Sequence, residues 1–228
     1  MQSTVHEPKD LAPFIDHTLL KPEATLKDIE RLCAEAREHS FKAVCVNPIF
    51  VASTRDFLKG SHVLTASVIG FPLGVSHSQV KALETEMAVS DGASEIDMVI
   101  RLDLVKSANW KEAEADVRSV VQAANGKIVK VILETGLLTT DEIVHACRVS
   151  EAAGAHFVKT ATGFLGRGAS VEDILLMKKS IGPKMEIKAS GGVKTFDQAL
   201  AMIAAGATRL GTSSGVALVN GTKAGGGY

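Results

Sequence analysis

The chain has 228 residues, of which 46% are apolar, and a formal net charge of −1 at pH 7. This length and apolar fraction allow one large core, so we expect a single domain. Because charges of both signs are interspersed, we expect neither a nucleic-acid partner nor a membrane surface, but a small-molecule partner. The polar start of the chain and the lack of an apolar run of about 18 residues predict a cytoplasmic protein.

Short apolar segments alternate with amphipathic ones along the chain. Several amphipathic segments begin with Thr or Ser and have an acid or amide three residues later, as at Thr25/Asp28 and Thr139/Glu142, which is typical of helix starts. The apolar segments predict buried strands at residues 14–19, 42–47, 63–69, 95–100, 128–133, 155–160, 186–190 and 208–211. Eight such units predict an α/β fold, a single-domain (β/α)8 TIM barrel over residues 1–228. We expect a polar segment over residues 1–10 and a flexible tail over 220–228.

The sixth and seventh predicted strands each carry a lysine near the carboxyl end, Lys159 and Lys188. Neighbouring parallel strands lie roughly 4.8 Å apart, so inward-facing lysines on them influence each other's protonation. Burial and like charge together lower the pKa of a lysine towards neutrality, and the neutral amine is a nucleophile for carbonyl carbon. Asp97, at the same level of the fourth strand, is a candidate proton relay. The alternative is a purely structural ion cluster. Two lysines and an acid at the ends of strands favour the catalytic interpretation instead.

Other charged strand residues are harder to interpret. Asp16 on the first predicted strand is another acid near the lysines, and Lys130 on the fifth is equally compatible with a relay and with structural support. His17 follows Asp16 directly, but adjacent strand residues face opposite sides, so we expect a packed histidine. The three cysteines stand far apart in apolar surroundings, which predicts buried reduced thiols: Cys33, Cys45 and Cys147.

The loops after the seventh and eighth predicted strands are rich in glycine and serine. Barrels commonly bind phosphate with the backbone N–H groups of these two loops, so we expect a phosphorylated substrate. Glycines that only form turns are the alternative. The residues concerned are Ser190, Gly191, Gly192, Gly211, Ser213 and Ser214.

Two competing motifs do not fit the chain. Residues 211–215 match the Gly-x-Ser-x-Gly pattern of serine hydrolases, but those enzymes need a histidine after the serine, and the last histidine is His156. The histidines have no paired ligand spacing, so a metal-dependent enzyme is not indicated.

Taken together, the segments resemble the deoxyribose-phosphate aldolase family, whose members form a Schiff base. The resemblance covers residues 14–215 in order and includes Ile15-Asp16-His17-Thr18-Leu19-Leu20-Lys21-Pro22, Glu95-Ile96-Asp97-Met98-Val99, Val158-Lys159-Thr160-Ala161-Thr162-Gly163-Phe164 and Ile187-Lys188-Ala189-Ser190-Gly191-Gly192-Val193. It implies that Lys159 is the Schiff-base lysine, that Lys188 lowers the basicity of Lys159, and that Asp97 relays protons.

The resemblance also implies reversible cleavage of 2-deoxy-D-ribose 5-phosphate to acetaldehyde and D-glyceraldehyde 3-phosphate, in deoxyribonucleoside catabolism. It implies no metal and no organic cofactor, and it is compatible with a homo-oligomer, a dimer or a tetramer. Besides the loop residues, the substrate-binding residues it implies are Asp16, Thr18, Cys45, Lys130 and Thr160.

Two features qualify the resemblance. Part of the family has a lysine where Phe164 stands, so phosphate binding is expected to be weaker or to depend on Arg167 or Lys194 instead. Some relatives end in tyrosine, which implies that Tyr228 assists proton transfer, although a disordered terminus explains the tail equally well.

Two other functions stay open at this point. A transaldolase-like barrel would use the same amine with a ketose donor. A non-catalytic sugar-phosphate binding barrel would keep the glycine loops but would have no use for adjacent buried lysines.

Overall fold

The computed structural model describes residues 5–222, and its eight parallel strands close into a barrel. Each strand pairs with the next, and β8 closes on β1 with Ile15 opposite Leu210. The predicted (β/α)8 TIM barrel is therefore confirmed. The strands are β1 (Ile15–Leu19), β2 (Ala43–Val46), β3 (Leu64–Ile69), β4 (Glu95–Val99), β5 (Ile128–Ile132), β6 (Phe157–Lys159), β7 (Glu186–Ser190) and β8 (Arg209–Thr212).

Two helices begin at the capping residues that the sequence predicts. The Thr25 side chain accepts a hydrogen bond from the Asp28 backbone N–H, and Thr139 accepts one from Glu142 in the same way. Such a cap stabilises a helix by about 1 kcal/mol, because it satisfies a backbone N–H that has no partner within the helix. The helices are α1 (Leu26–Glu38), α2 (Val51–Phe57), α3 (Ser78–Asp91), α4 (Leu102–Lys106), α5 (Trp110–Ala123), α6 (Thr140–Ala152), α7 (Val171–Ser180), α8 (Phe196–Ala205) and α9 (Gly215–Val219).

The segment before β1 contains an element that the sequence analysis did not predict. A 3-10 helix spans Pro8–Phe14, where the sequence predicts only a polar segment over residues 1–10. Its Leu11, which directly follows the predicted polar segment, is fully buried and belongs to the core. No helix within residues 5–222 is long and apolar enough to cross a membrane.

The two faces of the strands build two different interiors. Side chains that point outward, such as Val44, Ile96 and Val131, form the main apolar core between the barrel and its helices. Each such side chain contributes about 2 kcal/mol when it is fully buried. The side chains that point inward are apolar near Cys45 and Ala66 but charged elsewhere, and these charges form the candidate site.

Candidate active site

Charged side chains from six of the eight strands meet inside the barrel, and none of them is more than 5% exposed. Side chains alternate along a strand, so residues two positions apart, such as Glu95 and Asp97, both point inward. Unpaired ions in such a dry interior would cost several kcal/mol each, and these ions are therefore paired. The network consists of Asp16, Glu95, Asp97, Lys130, Lys159, Lys188 and Arg209.

Asp97 lies at the centre of this network. Its Oδ2 accepts hydrogen bonds from the Nζ atoms of Lys159 and Lys188, each at 2.8 Å. Its Oδ1 accepts one from Lys130 Nζ at 2.7 Å. Burial opposes ionisation, but the three ammonium groups hold the pKa of Asp97 well below its usual range. Asp97 is therefore a carboxylate that brings the two predicted lysines together.

A second layer of ion pairs lies behind Asp97. Lys188 Nζ donates to Asp16 Oδ2 at 2.5 Å, and Arg209 Nη1 donates to Asp16 Oδ1 at 2.8 Å. Glu95 accepts hydrogen bonds from Lys130 at 2.6 Å and from both terminal nitrogens of Arg209 at 2.8 and 3.1 Å. Sequence reasoning missed Glu95 and Arg209. Each lies two residues before a predicted site residue on the same strand. Because side chains on a strand alternate between its two faces, this spacing would have predicted that they also point inward.

Lys159 differs from the other cations of the network. Burial lowers the pKa of Lys159, and the nearby Lys188 ammonium adds to this effect against the opposing pull of Asp97. Burial also disfavours the charges of Lys130, Lys188 and Arg209, but their carboxylate partners outweigh it and raise those pKa values. Lys159 is therefore the cation of this network that most readily gives up its proton to become a nucleophile.

A pocket opens beside Lys159, between the loops that follow β7 and β8. Gly191 and Gly192 have φ values of +84° and +79°, which lie in the left-handed region that glycine tolerates best. A Cβ at Gly192 would meet nothing within 4 Å, so this glycine leaves open space. The predicted residues that line the pocket are Thr18, Lys159, Ser190, Gly191, Gly192, Gly211, Ser213 and Ser214.

Gly211 has a further role in packing. A Cβ at this position would lie 2.9 Å from Lys188 Cε and 2.9 Å from Ser190 Cβ. These distances are too short for carbon atoms, so a side chain here would displace Lys188 from its carboxylates. Glycine at this position is therefore required by the lysine, whether or not its N–H group binds an anion.

The remaining predicted substrate-binding residues lie in the interior. Asp16 and Lys130 belong to the charge network, while Cys45 lies in an apolar cluster with Leu20, Ala66 and Val68, where burial raises the pKa of its thiol to about 11. The hydroxyl of Thr160 accepts from the N–H of Ser190 and donates to its carbonyl, both at 2.9 Å, so it braces the ends of β6 and β7.

Other predictions have direct structural outcomes. His17 is 2% exposed, with its Nε2 atom 2.7 Å from Glu35 Oε2, which confirms that it is a packed histidine. The cysteines Cys33, Cys45 and Cys147 are buried and free, as predicted. Tyr228 lies outside the described residues.

Phe164 and the two cations suggested for phosphate binding, Arg167 and Lys194, have different contacts. Phe164 packs edge-on against Phe71, with 5.2 Å between the ring centroids. Arg167 is held by Asp173 through two hydrogen bonds of 2.5 and 2.9 Å, which directs it towards α7. Lys194 lines the pocket. Of the two, Lys194 is therefore the one that lies at the pocket.

Glu134, just after β5, is a buried acid that the sequence analysis did not single out. Its φ of +56° is left-handed, and the N–H groups on either side of it, those of Leu133 and Thr135, bond to the consecutive carbonyls of Lys159 and Thr160. Its Oε2 accepts from the N–H of Thr162 at 3.2 Å and from the Thr162 hydroxyl at 2.5 Å. Burial raises the pKa of Glu134. This acid ties the segment after Lys159 to β5.

Comparisons with known proteins identify the family and the fold of this chain. The model of the DeoC/LacD family aldolases matches residues 11–221. Deoxyribose-phosphate aldolases of Streptococcus sanguinis and Bdellovibrio bacteriovorus are each 53% identical over 218 residues, which cover 96% of this chain and 99% of each relative.

Solved structures with the same fold include a putative deoxyribose-phosphate aldolase from Coccidioides immitis, with a TM-score of 0.92 and 43% identity over 95% of this chain and 87% of that one. A tetrameric deoxyribose phosphate aldolase from Aeropyrum pernix has a TM-score of 0.88 and 34% identity, covering 94% of this chain and 91% of that one.

Proposed function

This chain belongs to the DeoC/LacD family of aldolases, and on that premise we propose that it reversibly cleaves 2-deoxy-D-ribose 5-phosphate to acetaldehyde and D-glyceraldehyde 3-phosphate. The observation that carries the proposal is the position of Lys159. It is a buried lysine with a lowered pKa, and it lines a pocket between two glycine-rich loops. Relatives that share about half of its residues are named for this substrate.

The proposed reaction begins with the neutral amine of Lys159. The amine attacks the aldehyde carbon C1 of the open-chain sugar, and loss of water gives an iminium. Removal of the proton from the C3 hydroxyl then breaks the C2–C3 bond, and the electron pair moves into an enamine stabilised by the iminium nitrogen. Glyceraldehyde 3-phosphate leaves, C2 takes up a proton, and water hydrolyses the iminium to release acetaldehyde and the free lysine. No metal or organic cofactor enters these steps.

Asp97 and Lys188 form the proposed proton relay. The Nζ atoms of Lys159 and Lys188 each donate a hydrogen bond of 2.8 Å to Asp97 Oδ2, so this oxygen joins the two amines. The neighbouring ammonium groups hold the pKa of Asp97 well below its usual range, so Asp97 enters the proposed reaction as a carboxylate that can accept a proton. In the proposal Asp97, acting through a water molecule and together with Lys188, moves the protons to and from the substrate.

The phosphate is proposed to bind at the other side of the pocket. The Ser190-Gly191-Gly192 and Gly211-Thr212-Ser213-Ser214 segments line it, together with the ammonium-bearing Lys194. Backbone N–H groups in glycine-rich loops suit a phosphate dianion, and a nearby lysine adds charge. This arrangement holds the phosphorylated end of the sugar away from Lys159, so that C1 faces the amine.

One assay tests the proposal directly. The protein is incubated with 2-deoxy-D-ribose 5-phosphate, and release of glyceraldehyde 3-phosphate is followed through a coupled dehydrogenase. In parallel, acetaldehyde and borohydride are added, and the modified residue is found by peptide mass spectrometry. We expect aldehyde release and a two-carbon adduct on Lys159. Absence of both, or an adduct at another lysine, contradicts the proposal.

The same experiment separates the alternatives. A transaldolase-like enzyme would form its adduct with a ketose donor in preference to acetaldehyde. A non-catalytic binding protein would form no reducible adduct with either donor. Comparing acetaldehyde with fructose 6-phosphate as the trapped donor therefore distinguishes the three functions.

The proposed setting is deoxyribonucleoside catabolism in the cytoplasm. The free, buried thiols of Cys33, Cys45 and Cys147 suit a reducing compartment. Sugar phosphates of this kind arise when phosphorolysis removes the base from a deoxyribonucleoside and the phosphate moves to C5. The aldolase step would return the carbon as a two-carbon aldehyde and a triose phosphate.

A homo-oligomer is also part of the proposal, and an apolar surface near β3 supports it. Six large apolar side chains, each at least 53% exposed, line one groove: Ile49, Leu73, Val75, Val80, Leu83 and Met87. Clustered exposure of this kind marks protein contacts, and the relative from Aeropyrum pernix is a tetramer. A second copy of this chain is therefore the proposed occupant.

Light scattering after size-exclusion chromatography tests this contact. We expect Leu83→Arg to lower the molar mass from that of an oligomer to that of a monomer. Leu175→Arg is the matched control, since Leu175 is 45% exposed but lies on α7. A monomeric wild-type protein, or equal effects of both substitutions, contradicts the proposed contact.

A further inference from the structure

The charge network inside the barrel does not balance. Its hydrogen-bonded members are four cations and three carboxylates, so full ionisation leaves one excess positive charge: Lys130, Lys159, Lys188 and Arg209 against Asp16, Glu95 and Asp97. An excess charge is costly in an interior from which water is excluded. Release of a single proton from one lysine removes this cost.

The geometry determines which lysine releases the proton. Lys130 contacts Glu95 at 2.6 Å and Asp97 at 2.7 Å, and Lys188 contacts Asp16 at 2.5 Å and Asp97 at 2.8 Å. Lys159 has one carboxylate contact in the network, to Asp97 at 2.8 Å, and it shares that oxygen with Lys188. It is therefore the cation with the least compensation, and the only one of the four that lines the pocket beside β7 and β8.

Arg209 and Glu95 lie at the far side of this network from Lys159. Arg209 connects to it through Asp16, Lys188 and Asp97 in turn. The guanidinium bonds Glu95 through both terminal nitrogens and lies 5.4 Å from the ring centroid of Phe157. Both residues are thus fixed in place by ion pairs within the network, and neither belongs to the lining of the pocket beside Lys159.

On the premise of the proposed function, we infer that Arg209 and Glu95 are positioning residues that set the protonation of Lys159 through the charge balance of the barrel interior. Removing Arg209 takes away the excess positive charge, so Lys159 keeps its proton to higher pH. Removing Glu95 increases the excess, so Lys159 loses its proton at lower pH. The two substitutions therefore act in opposite directions, which purely structural damage does not produce.

Other titratable groups face Lys159 and are the same in every variant. Asp97 contacts Lys159, Lys188 contacts the same carboxylate, the Glu134 carboxyl acts on Lys159 electrostatically, and the Cys45 thiol would do so only as a thiolate. Burial raises the pKa of Cys45 to about 11, so the thiol is neutral in the working range. Lys194 lies on the lining of the same pocket. Their contributions shift the absolute pH midpoint, but they do not reverse the direction of the difference between variants.

The experiment measures the rate of borohydride-trapped adduct formation on Lys159 with acetaldehyde, as a function of pH. The wild type is compared with Glu95→Gln, Arg209→Gln and the double variant. We expect the midpoint to fall in Glu95→Gln and to rise in Arg209→Gln, each on the order of one pH unit. The double variant keeps the charge balance and is expected to return to the wild-type midpoint, and Arg209→Lys, which keeps the charge, is expected to stay near it.

The outcomes separate this inference from the proposed function. A wild type that forms no adduct on Lys159 contradicts the proposed function itself. A normal wild-type adduct, with both single variants shifted in the same direction or not shifted, overturns the inference alone. Circular dichroism and thermal unfolding identify any variant that does not fold. If Arg209→Gln is lost in this way, a double variant whose midpoint follows that of Glu95→Gln still overturns the inference.

Discussion

Two lysines in this protein are both buried beside a carboxylate, but they differ in how that carboxylate is shared and in access to a pocket. Lys81 on α3 is fully buried, and Lys159 on β6 is 3% exposed. Burial lowers the pKa of both amines, against the pull of Asp116 on the first and of Asp97 on the second. Lys81 donates to Asp116 at 2.8 Å and to the carbonyl of Val99 at 2.9 Å, and its carboxylate partner has only Ser78 as a further hydrogen-bond donor among the described contacts.

The difference lies in the sharing of the counter-ion and in access. Asp116 serves Lys81 as its own counter-ion, whereas Asp97 is divided among Lys130, Lys159 and Lys188. Lys159 also lines a pocket, while Lys81 is enclosed between α3, α5 and the end of β4. A lowered pKa therefore does not by itself identify a nucleophile. The chemistry needs an amine with an incomplete partner and a path for the substrate.

The largest expected effect comes from Lys159→Arg. Arginine keeps the positive charge beside Asp97 but cannot form an imine, so turnover should fall by on the order of 10^3-fold or more. The measurement is the cleavage rate of 2-deoxy-D-ribose 5-phosphate, with circular dichroism as the check on folding. Lys81→Arg is the matched control for loss of a buried amine. If the Lys159 variant keeps appreciable turnover, the two lysines do not differ in the way described.

Lys81→Met should reduce stability without changing the chemistry at Lys159. It leaves the buried Asp116 carboxylate without its cation, at a cost of about 3 kcal/mol in the free energy of unfolding. Thermal unfolding measures this loss, and borohydride trapping shows that Lys159 still forms its adduct. Lys81→Met/Asp116→Leu removes both charges and should regain most of the stability. A double variant as unstable as the single one would argue against a charge effect.

Lys188→Leu tests the shared counter-ion. Removing a neighbouring ammonium makes the protonated form of Lys159 easier to keep, so its pKa rises and the neutral amine appears only at higher pH. The acid limb of the kcat/KM profile should move up by about one pH unit or more, in addition to a loss of rate. Lys188→Arg, which retains a charge, should shift it less. An unmoved profile would remove the electrostatic role of Lys188.

Ser213→Asp tests whether the pocket beside Lys159 binds the phosphate of the substrate, and it has the smallest expected effect. A carboxylate in the loop after β8 repels a phosphate in the pocket, and we expect KM for 2-deoxy-D-ribose 5-phosphate to rise about tenfold. Unphosphorylated 2-deoxyribose should be affected far less, and Ser213→Ala should leave both KM values near those of the wild type. Equal losses for both sugars would mean that this loop supports the fold without binding the anion.

Sequence periodicity was sufficient for the barrel and for part of the site. The alternation of apolar and amphipathic segments predicted all eight strands, and β8 extends only one residue beyond its predicted range. Lysines within apolar strands were conspicuous because buried ammonium groups are costly, and this pointed to Lys159 and Lys188. The 3-10 helix Pro8–Phe14 was missed because its start is polar, while only Leu11 and Ala12 are buried.

Arg209, Glu95 and Glu134 were missed for other reasons. Arg209 stands in the first position of its strand, where a charged residue usually faces solvent. Glu95 likewise begins β4. Glu134 follows β5 in a left-handed conformation, and the direction of its side chain depends on the hydrogen bonds of Leu133 and Thr135 to the neighbouring strand.

The sequence by itself determined the period of each segment, the helix caps and the residues that would be costly to bury, because these depend on neighbours along the chain. The tertiary structure decided which charges share a counter-ion. Asp97 and Lys188 are 91 residues apart, and Asp16 and Arg209 are 193 apart, yet both pairs are in contact. Closure of the barrel brings them together, and the electrostatic energy of a buried ion depends on distances across that closure. Only the closed barrel therefore makes Lys159 differ from Lys81.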